Sequence, residues 1–164
     1  MKKLLSVILC LFITTAFFAE DYAIKLFPWN KKYSEIVSFY MDLGWSMKYD
    51  KESNYVTFTP EGDNFFYQNK LLKIKNMFFS FDKSGNIISQ NITLDNGYSL
   101  NTAYMACITT AMVDSAVFYN QTYQNTDGID NLYHYLHLDN CNAMYAIVGQ
   151  DDYYMLFLSY DKMD

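Results

Sequence analysis

The sequence predicts an α+β domain: an antiparallel, hairpin-built sheet of about six or seven strands packed on about three helices, one of them central and buried. Three observations carry this. Residues 45–94 alternate apolar and polar side chains in runs broken by turn residues, which is the hairpin pattern. Ser99 to Tyr119 is a long apolar run containing neither Pro nor Gly. The helical segments do not alternate with single strands, which disfavours a doubly wound parallel sheet.

The elements follow in order. Glu20 to Leu26 reads as a short first strand that ends before Pro28. Asn30 is placed to cap a helix from about Lys31 to Leu43, with Ile36, Val37, Tyr40 and Leu43 on one face and Gly44 as its stop. Trp45 to Asp50 and Tyr55 to Thr59 form a hairpin about the polar turn Lys51 to Asn54, and Pro60 to Asp63 turns the chain again. Phe65 to Tyr67 is a short strand or a bend. Leu71 to Phe81 is a long strand whose apolar phase moves from Leu72 and Ile74 to Met77, Phe79 and Phe81, so either a bulge near Asn76 or a second half buried on both faces is expected. Asp82 to Asn86 turns into a return strand, Ile88 to Leu94, ended by Asp95-Asn96-Gly97.

The central helix is expected from Ser99, its N-cap, to Tyr119. Ala103, Ala106, Ala111 and Ala116 favour it, and apolar stripes on two sides predict burial on most of its surface. Asn101, Thr102, Thr109, Thr110, Asp114 and Ser115 argue against a membrane span of the same length, since a mid-bilayer Asp costs about 2.5–3.5 kcal/mol. Asp127 then caps a third helix from Gly128 to about Leu138. Ala143 to Val148 and Tyr153 to Tyr160 close the chain as a hairpin that is apolar on both faces.

Residues 1–19 read as a secretory signal peptide: Lys2 and Lys3 precede an apolar stretch, Leu4 to Phe18, with Ala16 and Ala19 near its end; the competing reading is an uncleaved N-terminal anchor. Residues 20–164 are then one domain, exported to a periplasmic or extracellular location, with no transmembrane span. The chain carries a formal charge of −6 and contains no Arg, the residue of bidentate phosphate and guanine recognition. Its small basic cluster of Lys70, Lys73 and Lys75 is no nucleic-acid footprint, so nucleic acid is excluded as a partner.

Two residue sets are candidates for chemistry. Cys107 and Cys141 follow the leader, and in an oxidising compartment they form a candidate disulfide stapling helix to sheet. The alternative is two separate buried thiols acting as small apolar groups. Asp130, His134, His137 and Cys141 recur at helical spacing, and all four are zinc-ligand types. Against this, Ile129, Leu132, Tyr133 and Leu136 mark the buried face, which leaves both histidines on a wet one.

The calcium-like spacing of Asp82, Ser84 and Asn86 lacks the required glycine, where Ile87 stands, and the terminal Glu, where Thr93 stands; it reads as a plain turn. There is no Gly-x-Ser-x-Gly and no glycine-rich phosphate loop. No cofactor is expected. These readings point to an exported, non-catalytic binding protein that holds a protein, peptide or glycan on aromatic strand faces. The alternatives are an exported hydrolase or metal-dependent enzyme using the two histidines, and an envelope structural component that assembles through an aromatic sheet edge.

Overall fold

A computed structural model describes residues 22–52, 54–67, 72–94, 97–151 and 153–163. The leader 1–19, the start of the first strand at Glu20, Lys70, and the turn residues Asp95 and Asn96 lie outside them. The described elements are β1 (Tyr22–Ile24), α1 (Tyr33–Asp42), β2 (Ser46–Asp50), β3 (Tyr55–Thr59), β4 (Phe65–Tyr67), β5 (Leu72–Phe81) and β6 (Ile87–Leu94). After these come α2 (Leu100–Val113), β7 (Val117–Thr126), β8 (Ile129–Leu138), β9 (Cys141–Gln150) and β10 (Tyr153–Lys162).

The architecture is α+β, but sheet dominates it. Ten strands stand where six or seven were expected, and two helices where three were expected, among the described residues. Two segments account for the difference. The expected helix at Gly128 to Leu138 is strand β8. Asp127 and Gly128 do not open a helix: both take positive φ, 54° and 83°, forming a two-residue turn whose twist suits a hairpin. The second segment is the central helix, which stops six residues early. Asp114 is its C-cap, Ser115 turns left-handed at φ 54°, and the strand-forming Val117, Phe118 and Tyr119 pass into β7. Nor is this helix enclosed. It buries Ala103, Cys107, Thr110 and Ala111 on one side, while Met105 and Met112 are 60% and 75% exposed.

The strands run in the order β1-β4-β5-β6-β10-β9-β8-β7. β3 pairs with the second half of β5 and carries β2 on its outer side. The β1–β4 pair is parallel and the other pairs are antiparallel. The expected bulge is present: the β5–β6 register shifts between Ile74 and Asn76, which turns Met77 and Phe79 into the core.

Both helices cover one face of the sheet. Under α1, Tyr40 stacks on Phe58 at 4.5 Å and lies 4.7 Å from Trp45, and its hydroxyl meets Met77 Sδ. Burial pushes the Tyr40 phenol well above its ordinary pKa. The buried amide of Gln90 clamps the preceding loop, accepting from Phe27 N and donating to Phe27 O, both at 2.8 Å. This satisfies a polar group that would otherwise be costly inside.

Under the end of α2 the core is polar. Tyr145 and Tyr160 both donate their hydroxyl hydrogens to Asp114 Oδ2, the latter at 2.6 Å. With those hydrogens committed, Tyr67 is the donor to Tyr160 Oη at 3.0 Å. One carboxylate at a helix terminus thus ties together β4, β9 and β10.

Candidate functional site

Strand geometry redistributes the residues singled out in the sequence. Successive side chains of β8 point to opposite faces, so His134 and His137 part company. His134 faces the helix side opposite Tyr145 and is buried, with its ring between Tyr104 (5.5 Å) and Phe118 (5.6 Å). Its Nε2 is buried without a hydrogen-bond partner, and desolvation lowers its pKa, which keeps the imidazole neutral. His137 stacks flat on Tyr119 at 4.1 Å on the other face, and its Nδ1 meets Asn142 Oδ1 at 2.7 Å.

Asp130 shares the face of His134 but lies four residues along the strand, about 13 Å away. It accepts from Tyr123 Oη, Asn125 Nδ2 and Tyr154 Oη at 2.6–2.8 Å, and these bonds hold its pKa below the usual carboxylate range. Cys141 is on β9, opposite Leu138. No group of three or more His, Cys, Asp or Glu comes together among the described residues. Cys107 and Cys141 are both buried free thiols. Burial pushes Cys107 up to about 12; burial and then the charges of Asp114 and Asp161 push Cys141 up to about 11. Both are protonated at neutral pH and poor nucleophiles.

A different site is built at the other end of the molecule. A cavity of about 460 Å³ opens between the start of α1, the β2–β3 hairpin and the β5–β6 turn, lined by Tyr33, Tyr49, Asn54, Val56, Phe81, Asp82, Lys83 and Gly85. Its walls are fixed by backbone and side-chain hydrogen bonds. Tyr33 N donates to Gly85 O at 2.9 Å and Lys32 Nζ to Asn86 Oδ1 at 2.6 Å, which docks the helix start on the turn. The Tyr33 ring then meets Phe81 edge-on at 5.2 Å.

On the far side, Tyr49 Oη donates to Asn54 Oδ1 at 3.0 Å, and Asn54 sits left-handed at φ 57° to close the hairpin. Asp82 accepts from Asn86 Nδ2, Asn86 N and Ser84 N at 2.6–2.8 Å, and these bonds hold its pKa below the usual carboxylate range while fixing its own turn. The result is three aromatic rings with an amide, a carboxylate and an ammonium beside them. That is the make-up of a ligand pocket, mostly apolar with a few placed polar groups. The sequence offered no local signal for it, because the three rings come from three separate elements.

Among the described residues no helix is long and apolar enough to cross a membrane. No family model matches the chain, and no curated protein matches it in sequence. In structure it is similar to cyanobacterial PsbP (CyanoP) from Synechocystis sp. PCC 6803, whose solution structure overlaps 73% of this chain and 81% of that one, with a TM-score of 0.41 and 10% identity. Similarity of that degree assigns neither a family nor a function.

Proposed function

We propose that this chain is an exported, non-catalytic binding protein whose ligand is a glycan seated in the cavity between Tyr33 and Tyr49. Export rests on the leader-like segment 1–19. The observation that carries the binding reading is the aromatic cavity itself. Tyr33 and Phe81 form one fixed wall and Tyr49 the other, and Asn54, Asp82 and Lys83 stand at the same opening. A sugar ring has an apolar C–H face for the rings and hydroxyls for the amide and the charged groups, and the cavity holds one or two such rings. His134 and His137 lie on opposite faces of β8, so the two do not form one site.

The test is calorimetric titration against a panel of neutral and acidic oligosaccharides. Binding by the wild type is expected, with affinity falling about tenfold in Tyr49→Ala, as loss of one stacking ring implies. A folded protein that binds nothing in the panel, or whose binding survives both Tyr33→Ala and Tyr49→Ala, overturns the reading.

A further inference from the structure

Among the described residues the sheet ends on three strands, β1, β2 and β7. A free edge is a template for another chain, and proteins commonly shorten or charge such strands. β1 is three residues long, and β2 carries Lys48 and Asp50. β7 has neither protection: it runs for ten residues, VFYNQTYQNT, with no charge and no Pro. Its bulge lies between Phe118 and Asn120, which leaves 120–126 in regular pairing with β8. Val117, Tyr119 and Tyr123 are 65%, 54% and 62% exposed along it.

We propose that β7 is an interface at which a second copy of this chain adds its own β7, antiparallel across a twofold axis, so that one sheet runs through both. Charge argues for a copy over a foreign partner. The chain carries a formal −6, so two copies repel wherever their charges face each other. Along β7 they meet without a charged pair, and the strand offers no charge with which to select a different protein.

Pairing centred on Thr122 sets Gln121 opposite Tyr123 and Asn120 opposite Gln124. Centred on Tyr123, it sets two tyrosines together and Thr122 opposite Gln124. Every pair in either register is uncharged and on a common face, at the spacing where cross-strand side chains interact. The isologous contact closes on itself and uses up both edges.

Sedimentation velocity of the purified protein from micromolar to millimolar concentration tests this. A monomer–dimer equilibrium is expected. Thr122→Lys and Gln124→Lys should each lose the dimer with an unchanged circular-dichroism spectrum, while Met47→Lys on β2 keeps it. Oxidation of Thr122→Cys or Tyr123→Cys, whichever lies on the axis, should give a covalent dimer; Cys107 and Cys141 are buried and add no background. A protein that is monomeric throughout overturns the proposal, as does a monomer that takes up an extended peptide at β7. So does a dimer indifferent to both β7 lysines, one lost in Met47→Lys, or crosslinking at neither cysteine.

Discussion

The two ends of the sheet use tyrosine in opposite ways. Under α1, Tyr40 is a ring first: it is packed among Phe27, Phe58, Phe79 and Trp45, and among the described residues its hydroxyl reaches only a thioether sulfur. Under α2 and along β7–β10, tyrosines are hydroxyls first. Tyr145 and Tyr160 converge on Asp114, and Tyr123 and Tyr154 converge on Asp130. The first arrangement draws on apolar area and ring contacts. The second draws on charge-assisted hydrogen bonds, which are stronger than those between neutral groups. One end should therefore respond to lost volume, the other to lost acceptors and to pH.

The largest effect should come from Tyr40→Ala, at about 3–5 kcal/mol of unfolding free energy in denaturant titration. Next is Asp114→Ala, at about 2–3 kcal/mol, because it orphans buried hydroxyls. The sharper test pairs Tyr160→Phe with Tyr40→Phe. Removing the hydroxyl alone should cost about 1.5–2 kcal/mol at Tyr160 and under ~1 kcal/mol at Tyr40; the reverse order breaks the contrast.

A smaller effect belongs to His134. Its folded pKa lies below the ordinary 6.5 because burial disfavours the charged ring. The unfolded chain therefore binds the extra proton first as pH falls, and stability is lost between 6.5 and the folded value. His134→Phe should flatten stability measured from pH 7.5 to 5. The smallest belongs to Asp130, which is held below 3.8 by its three donors. Its contribution is present above that pH and disappears as pH falls through the folded value, so Asp130→Asn should lower stability at neutral pH, with the difference from wild type closing along the acid limb of the same curve.

Much of the first half of the chain was legible because burial on one face writes a period of two. The β2–β3 hairpin, the phase change in β5 and the return in β6 are all visible as alternation. β7 was not legible because both of its faces are wet. With no core to meet, Asn120 to Thr126 carry no apolar pattern at all. β8 reads as a helix because Leu132 and Leu136 satisfy a four-residue helical spacing and a two-residue strand spacing equally. The arbiter was Asp127-Gly128, a hairpin turn signal that also passes for a helix cap. Read as a helix, the same segment sets Asp130, His134, His137 and Cys141 along one side, a set that the β8 and β9 strands divide. The aromatic cavity was invisible for another reason: Tyr33, Tyr49 and Phe81 become neighbours only when three elements far apart in the chain assemble.

The pairing of β6 with β10 has a consequence for how the molecule is made. Along the ladder from β1 to β7, these two strands are the hinge stitch between an early half and a late half, and the late partner is the last of the described strands in chain order. During synthesis, β1 to β6 must wait as an unfinished fabric, with the outer side of β6 bare, until residues 153–162 have been made. A nascent chain of this topology has reason to stay shielded until its final strand arrives.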